Sequence, residues 1–337
     1  MSDPLPINEI ITKLQEAVSV EKRALIVAPP GAGKTTIIPL KLLNNQNITG
    51  QIIVLEPRRL AARAAASQMA VLLNEPVGET VGFQIKGLNK VSKQTRIVVI
   101  TEGILIRMIQ SDPSLSKVGC IIFDEFHERS INADLGLALS LQLAEVLRND
   151  LKIIVMSATL DVGPVSDLLD TSAPIISEGR AYHVECKYLS RPKSKNEDLW
   201  GNFSELVSNA FEMTDGGILA FLPGEAEIKT TAKLLKEKLP KTAIIMPLYG
   251  SLPFDQQFKI LKPLENKNLR KVVLSTSIAE TSLTISDIKV VVDSGYTRRS
   301  LYDPSSGMSR LITQKVSRAE ANQRMGRAGR ILSLIHI

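Results

Sequence analysis

The strongest constraint on how this chain folds is a rhythm. Short runs rich in β-branched residues recur, each followed by turn residues and then a longer amphipathic stretch. The first set is Ala24 to Ala28, Ile52 to Leu55, Ile97 to Ile100, Cys120 to Phe123 and Ile153 to Met156. Strands that are apolar throughout suit a sheet buried on both faces, and the amphipathic segments suit crossover helices that cover those faces. An α/β unit with a parallel sheet follows. The rhythm restarts after residue 180 with Ile218 to Phe221, Ala243 to Met246, Lys271 to Leu274 and Lys289 to Val292. Two tandem α/β domains are therefore expected, residues 1–180 and a second from 181 onward, with the boundary near Gly179. The chain has 337 residues, 44% hydrophobic and 23% charged, so each half is long enough to close its own core. Between Arg298 and Ile312 two short strands flank Asp303-Pro304-Ser305-Ser306-Gly307, which reads as a β-hairpin.

Composition narrows the function. No apolar run reaches membrane-spanning length and the N-terminus lacks the basic-then-apolar order of a signal peptide, so no membrane partner is expected and the location is expected to be cytoplasmic. Cys120 and Cys186 are too few for a disulfide framework and share no metal-ligand spacing with the three histidines, which leaves them as reduced thiols. The formal charge of +6 is unevenly spread: residues 1–180 hold 18 Lys+Arg against 19 Asp+Glu, and residues 181–337 hold 23 against 16. From Arg298 to Arg330 there are eight basic and two acidic residues. Such a stretch could bind the phosphates of a nucleotide or polynucleotide, although a charge excess taken alone is more often a solvated surface.

Chemistry enters after the first strand, with Ala28-Pro29-Pro30-Gly31-Ala32-Gly33-Lys34-Thr35-Thr36 leading into a helix near Ile37. Glycines let backbone amides curl around phosphates, the Lys34 ammonium can reach the terminal phosphates, and the Thr35 hydroxyl can hold Mg²⁺ at the positive end of a helix. Pro30 to Thr36 are the expected nucleotide-binding residues. The first position of the common pattern is glycine and here is Ala28, so the match is not perfect. Downstream, the run ending at Phe123 is followed by Asp124-Glu125-Phe126-His127. Acids at a parallel strand's C-terminal end face the ligand crevice. Asp124 can orient the metal and Glu125 can take a proton from an attacking water. Alone, Asp-Glu after a strand is more often a helix-start signal; the phosphate loop upstream reverses that.

These residues belong to an ordered set. Asp-Glu-x-His followed by Glu128-Arg129-Ser130 resembles motif II of the DEAH/RHA helicases of superfamily 2. Leu55-Glu56-Pro57-Arg58-Arg59 resembles their motif Ia, Thr101-Glu102-Gly103 motif Ib, and Ser157-Ala158-Thr159 motif III. In the second half Phe221-Leu222-Pro223-Gly224 stands at motif IV, Ser275 to Thr284 resembles V, and Gln323-Arg324-Met325-Gly326-Arg327-Ala328-Gly329-Arg330 resembles VI. The wording around Lys34 and Arg58 is especially similar to the HrpB-type bacterial members, and the resemblance covers residues 5–330.

The resemblance implies two tandem RecA-like, P-loop NTPase domains at residues 1–180 and 181–330, the second incomplete at its C-terminus, with residues 331–337 as a tail foreign to the family. It implies ATP as substrate with Mg²⁺ on Thr35 and Asp124, Glu125 as the base, and Gln323, Arg327 and Arg330 supplied by the second domain. Arginine contacts of that kind contribute about 10³ to 10⁵ in rate. Ser157, Thr159 and Ser282 would couple hydrolysis to movement, with His127 linking motif II to motif VI. Arg58, Arg59, Thr101 and Thr276 would hold a nucleic-acid backbone, RNA before DNA, and the hairpin would abut a strand junction. Ser277 replaces the asparagine usual in motif V, and the nucleobase-stacking positions fall at Gln68 and Leu261, which implies loose nucleobase choice. After Arg330 the family continues with Pro-Gly and further modules, whereas this sequence reads Ile331 to Ile337, which suggests a truncated or frameshifted reading. The expected function is an ATP-dependent helicase motor; an ATP-switched clamp or remodelling factor, and an inactive binding fragment, are the competing readings.

Overall fold

In the first unit, eight strands form one sheet: β1 (Arg23–Val27), β2 (Gln51–Glu56), β3 (Val81–Ile85), β4 (Leu88–Lys90), β5 (Ile97–Thr101), β6 (Val118–Phe123), β7 (Lys152–Ser157) and β8 (Ile175–Ile176). Their order is β4-β3-β5-β2-β6-β7-β1-β8. Every pairing is parallel except β3 with β4, which closes an antiparallel edge. The helices are α1 (Ile11–Val20), α2 (Lys34–Leu42), α3 (Arg59–Leu72), α4 (Glu102–Ser111), α5 (Ile131–Val146) and α6 (Gly163–Leu169). β6 and β7 are buried at every residue, as their unbroken apolar runs require. Phe123 packs with Leu25, Ile121 and Val155 against Leu105 and Leu137 of the covering helices.

This computed structural model describes residues 6–29, 31–158, 163–171, 173–178, 184–188, 198–280, 283, 285–328 and 333–336. The chain divides into compact units at 1–180 and 181–337. Pro30, Thr159, Ser282 and Arg330 lie outside the described residues, as does Gly179.

The second unit has a six-stranded parallel sheet built from β9 (Val184–Lys187), β10 (Gly217–Phe221), β11 (Ala243–Leu248), β12 (Arg270–Ser275), β13 (Ile288–Asp293) and β16 (Ser333–His336). The order is β11-β12-β10-β13-β16-β9. Part of the segment read as a tail is thus a strand, inserted between β13 and β9. Helices α7 (Leu199–Met213), α8 (Glu225–Lys238) and α9 (Phe254–Leu261) accompany the sheet, and Phe203, Val207, Ile228 and Leu235 pack onto Ile218 and Val272. The hairpin runs longer than its sequence signal, with β14 (Tyr296–Asp303) paired to β15 (Met308–Lys315) and Gly307 turning at φ 66°. Helix α10 (Arg318–Met325) carries the first three residues of motif VI, Gln323 to Met325. It starts at a capping box: Ser317 accepts from the Glu320 N–H at 3.2 Å, and the Ser317 N–H donates to Glu320 Oε2 at 2.7 Å. Among the described residues no helix is long and apolar enough to cross a membrane.

Candidate active site

Strand order decides which motifs can meet. β1, β7 and β6 are parallel neighbours, so the loops leaving their C-terminal ends share one edge of the sheet. Those loops carry the phosphate loop, Ser157-Ala158 and Asp124-Glu125. The phosphate loop turns through left-handed backbone at Gly31 (φ 86°) and Gly33 (φ 93°), conformations open to glycine at little cost. Gly33 then starts α2, its carbonyl accepting from the Thr36 and Ile37 N–H groups, and Ala32 is buried behind the turn.

Lys34 Nζ lies 3.3 Å from Glu125 Oε2, with the two side chains only 4% and 7% exposed. Thr35 Oγ1 donates to Asp124 Oδ2, and Asp124 Oδ1 accepts from the Glu125 N–H at 2.8 Å. Residues about ninety positions apart in sequence therefore form one buried cluster. Burial alone would depress the Lys34 ammonium, but the charges of Glu125 and Asp124 outweigh it and hold it above the ordinary lysine value. Burial pushes the Asp124 carboxyl up, and Lys34 offsets only part of that rise. Glu56, at the end of β2, is fully buried and adds its charge to the field at Lys34.

His127 joins two loops. Its Nδ1 accepts from the Ala158 N–H at 3.2 Å and its Nε2 faces Glu125 Oε2 at 3.4 Å. A ring nitrogen that accepts must lack a proton, so the imidazole is neutral, with its proton on Nε2, the nitrogen that faces Glu125. Burial pushes His127 below the usual histidine value in the same sense, against the pull of Glu125. The resemblance implied a link from His127 to motif VI; within its own unit both ring nitrogens are engaged by motifs II and III. Ser157 is buried at the end of β7, its carbonyl accepting from the Ala28 N–H at 3.0 Å. Glu125 itself has φ 49°, a left-handed conformation uncommon for a residue with a side chain.

The donors fit a magnesium ion. Mg²⁺ takes oxygen ligands, commonly one carboxylate or hydroxyl from the protein with phosphates and waters completing the octahedron, and Thr35 and Asp124 place one of each together. Among the described residues no cluster of three or more His, Cys, Asp or Glu is placed to hold a metal by protein ligands alone.

Other expected site residues fall elsewhere. Arg58 precedes α3 and its Nη2 lies 3.5 Å from Glu128 Oε2, while Arg59 is exposed on the first turn. Thr101 ends β5 immediately before α4. In the second unit Thr276 follows β12, half-buried, its N–H donating to the Leu248 carbonyl at 3.2 Å. Gln323 is half-buried on α10. Arg327 is 6% exposed: its Nε donates to the Glu280 carbonyl at 2.8 Å and its Nη1 to the Leu283 carbonyl at 2.6 Å, so the residue expected to reach a phosphate is engaged here by motif V backbone. The basic stretch as a whole is less available for phosphates than its charge suggests. Arg298 pairs with Glu227, Arg299 with Glu320, and Arg324 is buried.

Arg324 is what the sequence reading passed over. Its guanidinium bonds Glu280 Oε2 at 3.1 Å and Asp293 Oδ1 at 2.8 Å, reaches the Tyr296 carbonyl at 3.3 Å, and lies 4.9 Å from the Phe221 ring centroid. Motifs IV, V and VI are pinned by one cation. The available signal was Asp293, an acid directly after an apolar strand, the same signal that marked Asp124.

Fold and site together define a P-loop nucleotide-binding protein of two tandem RecA-like units. The chain belongs to the DEAD/DEAH box helicases: residues 8–168 match the DEAD/DEAH box helicase family and residues 201–332 the helicase conserved C-terminal domain. It is 46% identical over 327 residues to the Escherichia coli (strain K12) ATP-dependent RNA helicase HrpB, a match covering 97% of this chain and 40% of that protein. Human ATP-dependent RNA helicase DHX33 is 36% identical over 338 residues, covering 97% of this chain and 47% of that protein. The crystal structure of the E. coli DEAH/RHA helicase HrpB superposes with a TM-score of 0.91 at 45% identity, over 99% of this chain and 42% of that one. This chain thus spans less than half the length of these relatives.

Proposed function

We propose that this chain is the motor of an ATP-dependent helicase, with residues 1–180 binding ATP, residues 181–337 forming the second lobe, and nucleic acid, RNA before DNA, as its track in the cytoplasm. One observation carries the reading: Lys34, Thr35, Asp124 and Glu125, from two separate loops, meet in a buried cluster of the composition that phosphoryl transfer needs. Mg²⁺ on Thr35 and Asp124 would neutralise phosphate charge. On nucleotide binding Lys34 exchanges Glu125 for the terminal phosphates. Glu125 is then held by His127 and the Glu125–Asp124 backbone contact, with Oε2 positioned to accept a proton from the attacking water. Gln323, Arg327 and Arg330 are the proposed contributions of the second lobe to γ-phosphate charge. That role requires Arg327 to leave the Glu280 and Leu283 carbonyls, so its present bonds would be the resting half of a switch. Arg58, Arg59, Thr101 and Thr276 are the proposed backbone contacts, which position without reading sequence; Ser157, Thr159 and Ser282 are the proposed couplers. The RNA preference is supported by the names of the relatives.

Phosphate release with and without single-stranded RNA tests the reading. Glu125→Gln keeps the shape and removes the base, and should lower RNA-stimulated release by about 10² to 10⁴ while ATP binding persists. Equal release from both proteins would end the proposal. A strand-displacement assay separates a helicase from a clamp, which would hydrolyse without displacing. RNA affinity should weaken steeply with added salt.

A further inference from the structure

Two ties run from the segments proposed to hold nucleic acid to the turn that follows Glu125. Arg58 Nη2 lies 3.5 Å from Glu128 Oε2, the side chains 25% and 21% exposed. Glu102, the residue after Thr101 and the first of α4, accepts a hydrogen bond from Ser130 Oγ, and Ser130 in turn caps α5 by accepting from the Ala133 N–H at 3.0 Å. Both ties end on the same three residues, Glu128-Arg129-Ser130.

Those residues are stiffly joined to Glu125. Phe126–Glu128 form a single 3₁₀ turn strung between two left-handed residues, Glu125 at φ 49° and Arg129 at φ 52°. The Glu128 N–H donates to the Glu125 carbonyl at 2.9 Å and the Arg129 N–H to the Phe126 carbonyl at 3.1 Å. Phe126 is buried edge-on against Phe123, and the Arg129 guanidinium bonds both oxygens of Asp134 while lying 5.6 Å from the Phe126 ring centroid. Left-handed backbone at two residues with side chains persists only where neighbours over-determine it. A displacement of residues 128–130 is therefore passed along the turn instead of being absorbed within it.

We infer that Glu102, Glu128 and Ser130 are positioning residues that relay nucleic-acid occupancy at Arg58 and Thr101 to the carboxylate of Glu125. The inference rests on the helicase-motor reading above for what Arg58, Thr101 and Glu125 do. A partly solvated ion pair such as Arg58–Glu128 is weakly held, and a backbone phosphate competes for the same guanidinium with a charge-assisted bond of its own. Phosphate binding thus draws Arg58 away from Glu128, and the Glu102–Ser130 bond makes the start of α4 and the start of α5 shift together.

The test uses Glu128→Gln, Ser130→Ala and Glu102→Gln, with Ser130→Thr as the conservative variant that keeps the hydroxyl. Phosphate release is measured at saturating ATP without RNA and with oligouridine, and RNA affinity by fluorescence anisotropy. For the three disruptive variants the basal rate stays within about twofold of the unmodified chain, while the ratio of stimulated to basal rate falls about tenfold or more. Ser130→Thr restores the ratio. Glu128→Gln keeps or gains RNA affinity, since a competitor for Arg58 is gone; a merely structural contact would lower basal and stimulated rates together and leave affinity unimproved. An unchanged ratio in all three variants, with the unmodified chain stimulated normally, overturns the relay alone. An unmodified chain that RNA does not stimulate overturns the motor reading, and the relay falls with it.

Discussion

Replacing Arg324 by methionine measures what holds the second unit's motifs together. The arginine side chain is 1% exposed, and the carboxylates it pairs with, Glu280 and Asp293, are 6% and 1% exposed. Methionine fills much of the arginine stem's volume and still packs on Phe221, so the loss is chiefly charge and hydrogen bonds. Removing one partner of a buried ion pair costs about 3–5 kcal/mol, because the remaining charge keeps its desolvation penalty without its counter-charge. Two carboxylates are left here, but the figure is taken once, since groups that share one cation do not contribute additively. For a domain of this size each kcal/mol lowers the melting temperature by about 2–4 °C, so the second unit should melt roughly 6–20 °C lower. Scanning calorimetry of the chain reads this directly, with the first unit's transition as the internal reference. Titration supplies a second check. Burial pushes the Asp293 carboxyl up, and Arg324 is the main influence opposing that rise. A carboxyl whose folded value lies above its unfolded one favours the folded state as protons are added, so the variant's deficit should shrink as pH is lowered from neutral toward the carboxylate range. Asp293→Asn added to Arg324→Met should recover part of the loss for the same reason. A melting shift below about 2 °C at neutral pH would refute the reasoning, since it would mean that no buried charge had been left unpaired.

Three further outcomes are expected. Ser317→Ala removes the cap of the motif VI helix and should cost about 1 kcal/mol, or about 2–4 °C in the second unit's transition; an unchanged transition would show the capping box to be idle. Cys120 is buried and its thiol is pushed up by that burial, whereas Cys186 is exposed, so a thiol reagent should modify one cysteine in the native chain and both in denaturant. Two fast equivalents in the native state would contradict the buried position. Gln68 is exposed on α3 and Leu261 is buried in its own unit, and neither side chain offers a base an aromatic ring or a guanidinium face, so turnover of GTP and CTP should be comparable to that of ATP; strict dependence on ATP would refute this.

Much of the fold was legible because parallel strands buried on both faces leave apolar runs that nothing polar interrupts. β6 and β7 are of this kind. The strands that escaped notice lack that signature: β4 is exposed at all three residues, β3 carries Gly82 and Gln84, and β9 reads Val-Glu-Cys-Lys. Such strands exist because of long-range pairing, which a local pattern does not encode. At the site, Lys34, Thr35, Asp124 and Glu125 could be named because their residue types are dictated by phosphate chemistry. The direction in which an arginine turns is not so dictated. Arg327 donates to carbonyls and Arg324 sits between acids because of what the motif V loop and β13 present to them, and only the packed unit shows that. Arg58 was likewise expected to face nucleic acid; its neighbour Glu128 lies seventy residues on, beyond any local reading.

The position of β16 has a kinetic consequence. Among the described residues β9, which opens the second unit's sheet, pairs with β16 and with no other strand, from Ser333 beside Val184 to His336 beside Lys187. During synthesis, residues 184–187 leave the ribosome long before their neighbour exists, so that edge of the sheet waits while the β10, β12 and β13 core assembles. Closing so large a loop late is slow, and until then β13 presents an unsatisfied flank that a second nascent chain could pair with.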